Sequence, residues 1–472
     1  MKMKLFFMLG WFGLVFGLSA QVLTLDQMIS DVALFKKALE AKHPEMYRYT
    51  SPEAFENLTE VVKSGLHKEM TVREFYVAMM PLVSALHCGH TKWIAAGKDL
   101  YYPFFTTDLF PLKLHVNKDK AFILSHFNGE EAPKGAEVIS VNGKPVAEII
   151  SHFKEHLTFG DGYSEGGKYY QLNQYFPGLY STLFGIQSAY NIQVRLDGEV
   201  RNLSYSGVSF EQIKNYLDTN SSQRGPFHFE TLEGNIGWLD IDRFYAYPNE
   251  DNFKKFLKNS FDRIQSEGIK ELVIDLRGNE GGNENWGIEL YRYLAKEPFR
   301  YYERISVKKR QKVDFESKTS FLFKLASLFN KNGKYGREFT VQKGLKKQKL
   351  FKNAYHGKVY LLLGGQSFSV TTEFASRFQS DSRGKIIGSE TAGGYAMNTS
   401  GFFSIVNLPN SNIDLGIPLL GFHMANLKTT QAKDRGILPD FPVELSVKDI
   451  IGQKDPVRDF TLNLIRQSSF SN

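Results

Sequence analysis

Cysteine is almost absent from this 472-residue chain, where Cys88 stands alone. A single thiol makes no internal disulfide, and no ligand pairs stand at zinc-finger spacing, so neither device organises the fold. The His-Glu-x-x-His helix motif is missing too. The glycine-rich loops lack the Gly-x-Gly-x-x-Gly spacing of dinucleotide sites and the Gly-Lys-Ser/Thr of phosphate loops. No metal and no cofactor is expected. Long apolar runs are equally scarce. The longest falls within residues 1–20, MKMKLFFMLGWFGLVFGLSA, where lysines, an apolar stretch and small residues precede Gln21. That order reads as a secretory signal peptide, its apolar part shorter than the roughly 20 residues of a membrane span. A periplasmic or secreted protein is expected, without a lipid anchor or stable membrane insertion, and with Cys88 buried rather than paired.

What is present suits an enzyme of several lobes. Hydrophobic residues make up 42% and aromatic ones 14%, which argues against disorder, and the length exceeds one ordinary core. Residues 21–100 read as a helical lobe. Thr24 and Gln27 can cap a helix with Met28, Val32, Phe35 and Leu39 on one face, Ser51-Pro52 can start a second, and Thr71 and Glu74 a third carrying Phe75, Met79, Val83 and Leu86. From about 101 to 226 the pattern turns to short strands, among them Leu112 to Val116 and Ala121 to Ser125, interrupted by an aromatic-rich insertion from Ser151 to Tyr190. Beyond 227, strands and helices alternate, which calls for an α/β core: a strand over Asn235 to Asp242, a helix over Asn252 to Glu267 stopped by Gly268, and a strand over Glu271 to Leu276. Residues 301–352 carry fifteen Lys/Arg against four Asp/Glu, more net positive charge than the +7 of the whole chain. Export argues against nucleic acid as the partner of that stretch, and a solvated insertion is expected.

Two segments carry chemistry. Lys358 to Leu363 is a short β-rich run that turns at Gly364-Gly365 into a helical pattern, with Ser367 and Ser369 at the bend. A serine there sits at the positive end of a helix, whose free N–H groups favour negative charge, although either serine can equally serve as a plain N-cap. Asp275 to Gly282 is a glycine loop after a strand, able to present N–H donors to an oxyanion.

Together these blocks resemble the tail-specific, or C-terminal-processing, serine peptidase family. Asp275-Leu-Arg-Gly-Asn-Glu-Gly-Gly282, Ser367-Phe-Ser-Val-Thr-Thr372, Gly388-Ser-Glu-Thr-Ala-Gly393 and Gly436-Ile-Leu-Pro-Asp440 follow the family's order. The resemblance places Ser369 at the nucleophile position, with Thr372 where a Glu is usual. It implies a crotonase- or ClpP-like spiral catalytic core over 227–472. Separately, Gly135 to Val146 resembles the strand-turn segment of a PDZ domain, either a fold that takes peptide ends by strand addition or a degenerate one that only packs against the catalytic domain. The lysine of the Ser-Lys branch is absent, Gly394 standing in its place. The tricorn-like branch takes a histidine from the N-terminal lobe, and Leu86-His-Cys-Gly-His-Thr91 matches its motif with Cys88 in place of Asp. His90 is therefore the candidate base, Ser369 the nucleophile, and Gly281 or Gly282 with the Val370 N–H the oxyanion hole. Asp434 is the candidate acid orienting His90.

The expected function is an exported serine endopeptidase cleaving peptides or unfolded protein segments through an acyl-enzyme. Two alternatives stand beside it. One is a non-catalytic binder of apolar ligands or peptides on the same scaffold; the other is an α/β-hydrolase built on Gly365-x-Ser367-x-Ser369, which lacks the final glycine of that motif. With a histidine base, activity should fall as pH drops through about 6.5.

Overall fold

The computed structural model describes residues 21–219, 224–428 and 432–470; the signal-peptide reading falls on residues outside these. Three helices open the described chain, Leu25–Lys42, Pro52–Ser64 and Val72–Ser84. Each begins where its sequence supplies a cap. Thr24 with Gln27 and Thr71 with Glu74 form capping boxes, and Ser51 caps the helix that Pro52 starts. Their faces Met28, Val32, Phe35, Phe75, Met79 and Val83 are buried. These helices do not close a core alone. One apolar cluster joins them to Leu112, Ile123, Val138 and Ile192 of an antiparallel sheet, and to Val406 and Leu415 far along the chain.

That sheet runs in the order Leu112–Asn117, Lys120–His126, Glu137–Val141, Ala189–Leu196, Glu199–Ser206. The insertion expected after Ser151 is helical. Val146–His156 forms one helix and Gly166–Phe184 another, the latter broken by non-helical backbone at Tyr175 just ahead of Pro177, whose ring and missing N–H disrupt the turn before it.

A second sheet orders Phe227–Leu232, Ile236–Ile241, Glu271–Asp275, Lys358–Leu363, Lys385–Gly388 and Phe441–Pro442. Only the first pair is antiparallel. The crossover helix Phe253–Ser266 buries Phe253, Leu257, Phe261 and Ile264. It stops at Gly268 (φ +63°), where the Ile269 N–H reaches back to the Ile264 carbonyl. Parallel pairing aligns strand ends: Asp275 lies opposite Leu362, so the glycine loop and the serine bend leave the sheet side by side.

A third sheet is built on the long hairpin Met397–Leu408 and Ile413–Met424, with Tyr302–Ser306 beside it. It also recruits Lys92–Ala95, antiparallel to Ile413–Gly416. This pairing ties the N-terminal lobe to the serine-bearing part. The basic stretch is only partly a solvated insertion. Tyr301, Tyr302 and Ile305 are fully buried because their strand joins this sheet, whereas Phe321, Leu322, Leu328 and Phe329 are exposed.

Candidate active site

The serine bend is shaped by groups that leave Ser369 unused. Ser367 is fully buried; its Oγ donates to the Leu276 carbonyl (2.8 Å) and accepts from the Gly364 N–H (3.1 Å). Both bonds fix the turn, so Ser367 is a structural residue and the α/β-hydrolase register fails. Ser369 occupies the cap position of the helix Val370–Ser380 but makes no capping bond. Its backbone sits at φ +55°, ψ −125°, a region that costs a non-glycine residue about 1–3 kcal/mol. A serine held in that conformation presents its hydroxyl outward instead of capping its own helix.

The glycine loop meets it from the neighbouring strand. Asn279, fully buried, knits the two together: its Nδ2 donates to the Ile241 carbonyl (2.9 Å), and its Oδ1 accepts from the Gly281 N–H (2.8 Å) and the Thr371 hydroxyl (2.7 Å). Gly281 has φ +100°, and a Cβ there would lie 2.8 Å from the Ser369 Cβ and 2.9 Å from the Val370 nitrogen. Only glycine allows this approach. Because the Gly281 N–H is held by Asn279, it is not free for an oxyanion. Among the described residues, the N–H groups of Gly282 and Val370 have no hydrogen-bond acceptor, which leaves them as the available donors of the expected set.

His90 arrives from the far lobe. The helix Val72–Ser84 ends, the chain turns through His87 (φ +48°), and the strand Lys92–Ala95 carries it into the third sheet. Trp93 anchors that strand, its indole N–H donating to the Tyr76 carbonyl (3.1 Å) while the Tyr76 hydroxyl donates to the Trp93 carbonyl (2.7 Å). The result is a His90 Nε2 to Ser369 Oγ separation of 3.1 Å. The imidazole stacks on Phe368, with ring centroids 4.4 Å apart. Burial, and secondarily the nearby Lys92 ammonium, push its pKa down to about 3, so the ring is neutral at neutral pH and its unprotonated nitrogen can accept a proton.

The expected acid does not orient this ring. The Asp434 side chain is exposed, and its recorded role is structural: its carbonyl accepts from the Tyr163 N–H (2.8 Å). Among the described residues, the Nδ1 of His90 is buried without a hydrogen-bond partner. What holds the base loop is Asp161, which the sequence did not single out. Its carboxylate accepts from the Gly89 N–H (3.1 Å) and the Gly394 N–H (3.3 Å), bridging the base loop and the segment after the third motif. Burial pushes the carboxyl up to about 7. Gly89 permits this packing, since a Cβ there would lie 2.7 Å from the Gly160 nitrogen and 2.8 Å from the Phe368 ring. Cys88, at the motif position where Asp is usual, is buried, with its sulfur 2.8 Å from the Thr399 hydroxyl.

The other altered motif position is equally inward. Thr372 is buried and donates to the Ser367 carbonyl (3.2 Å). Glu373, the next residue, accepts from Tyr302 and from the Asn398 amide (2.7 Å), and burial raises its carboxyl to about 7. Glu390 of the third motif binds Arg435 through both carboxylate oxygens, fixing the tail block.

Residues 235–443 match the model of Peptidase family S41. The crystal structure of mature CPAF superposes with a TM-score of 0.60 at 12% identity, covering 90% of this chain and 94% of that one. Mature CPAF complexed with lactacystin gives 0.61 at 14% identity, covering 91% and 96%. At such identities the likeness speaks for a shared mixed α/β fold. No curated protein matches the chain. With the family's blocks converging on one serine, residues 235–443 match Peptidase family S41, and the chain is a serine-type peptidase.

Proposed function

We propose that this peptidase is an exported endopeptidase that cleaves peptides or unfolded protein segments through an acyl-enzyme on Ser369. The observation that carries the reading is the 3.1 Å contact between a neutral, buried His90 Nε2 and a Ser369 hydroxyl that caps nothing. In the first step Ser369 Oγ attacks the scissile carbonyl while His90 takes its proton. The oxyanion that forms is met by the Gly282 and Val370 N–H groups at the positive end of the serine helix. His90 then protonates the leaving amine, and a water molecule, deprotonated by the same nitrogen, releases the acyl group. Asp161 acts as a positioning residue by holding the Gly89 amide.

Peptide substrates follow from the family. The preference for unfolded segments or chain ends rests on the likeness of Gly135 to Val146 to a PDZ strand-turn, within the sheet whose outer strand Glu199–Ser206 is available for strand addition. The spiral-core reading of 227–472 rests on the parallel sheet and adjacent catalytic loops. Export rests on residues 1–20; among the described residues no helix is long and apolar enough to cross a membrane. Hydrolysis of an unfolded protein such as reduced casein, against a folded control, tests the substrate class. Equal cleavage of both would contradict it.

A further inference from the structure

The helix Val146–His156 carries His152, Glu155 and His156, spaced i, i+3 and i+4, so that all three fall on one face. One ligand atom from each lies within 4.8 Å of the other two. The imidazole rings are 4.3 Å apart between centroids, and His152 also rests 5.3 Å from the Phe184 ring, which restricts its swing. Near the helix end, His156 places its Nδ1 2.7 Å from the His152 carbonyl oxygen. A carbonyl only accepts, so Nδ1 carries the proton and Nε2 keeps its lone pair. This is how metal-binding histidines are commonly oriented, the second nitrogen donating to a backbone carbonyl. Glu155 is exposed and makes no hydrogen bond or salt bridge among the described residues.

We propose that His152, Glu155 and His156 bind a divalent cation of the zinc class. Two imidazoles and one carboxylate suit zinc and its first-row neighbours better than calcium or magnesium, which take oxygen ligands. Bonds of about 2.0–2.2 Å would draw the three atoms closer by small side-chain rotations, leaving a position for water. The site departs from the expectation of a metal-free protein, and it stands apart from the serine chemistry. It is nevertheless joined to it. Three residues past His156, Phe159 packs 4.7 Å from Phe368, on which His90 stacks, and Asp161 follows. A bound cation therefore braces the helix end from which these supports hang.

The full chain, freed of metal by chelation, is titrated with Zn2+ by calorimetry and with Co2+ by visible absorption. One saturable site per chain is expected. The double variant H152A/H156A should weaken Zn2+ binding by about tenfold or more, and Glu155→Gln, at an exposed position that spares the fold, should weaken it measurably. Circular dichroism verifies that each variant is folded. Absence of saturable binding, or equal binding by wild type and the folded variants, overturns the site. Because the readout is metal binding itself, neither result depends on the peptidase reading.

Discussion

His90 Nε2 lies 3.1 Å from Ser369 Oγ although 279 positions separate the two in sequence. The base reaches the nucleophile because a four-residue strand, Lys92–Ala95, is gripped by Tyr76 on one side and paired with Ile413–Gly416 on the other. Loosening that strand should therefore injure chemistry before it injures the fold of the serine domain. Trp93→Ala removes a side chain stacked on Tyr76 and edge-on to Phe35, a loss of about 3–5 kcal/mol for a buried aromatic. Lower thermal stability together with lower kcat is expected; unchanged kcat would contradict the anchoring role.

The acid limb of activity should lie well below the 6.5 expected of an ordinary histidine. His90 is held near 3 by burial, then by Lys92. Since its folded pKa is depressed, the unfolded chain takes the proton first. The associated stability is present above about 6.5 and is lost as pH falls toward about 3. The first acid loss of activity should thus track unfolding seen by circular dichroism. A reversible limb near 6.5 in folded protein would contradict this.

Asp161→Ala removes the acceptor for two buried N–H groups, on Gly89 and Gly394. A displaced base costs on the order of 10²-fold in kcat, with KM changed less, and Asp161→Asn should recover part of the loss by keeping one acceptor. Steady-state kinetics on the three proteins checks this. Wild-type kcat in a folded Asp161→Ala variant would remove Asp161 from the account.

Gly281→Ala should abolish turnover while the chain remains largely folded, because its methyl group would meet the Ser369 side chain and the Val370 nitrogen. Activity within about tenfold of wild type, where removal of a single oxyanion donor alone costs about 10²–10³, would show that the glycine loop yields.

Much of this was readable where the signal is local. The capping boxes at Thr24 and Thr71, the helix stopped by Gly268 and the glycine loop before the serine bend each depend on a few neighbouring residues. Long-range relations were not readable in the same way. Asp161 sits in no motif and meets Gly89 across 72 positions. The helix Gly166–Phe184 is masked by glycine, proline and aromatic residues of low helix propensity, which burial overrides. Asp434 stands near the tail block in sequence, yet the chain there turns its carboxylate to solvent and uses its carbonyl. Gly281 and Gly282 are told apart as donors by the Asn279 side chain, which only tertiary packing places.

The central claim is that Ser369, activated by His90, forms the acyl-enzyme. The most direct measurement is labelling by a fluorophosphonate probe followed by mass mapping of the modified peptide, on wild type, Ser369→Ala, Ser367→Ala and His90→Ala. The account predicts an adduct on Ser369 in the wild type and none in Ser369→Ala. Ser367→Ala should retain labelling, and His90→Ala should slow it by about 10³-fold or more. An adduct on Ser367, or peptide hydrolysis that survives in Ser369→Ala, would contradict it.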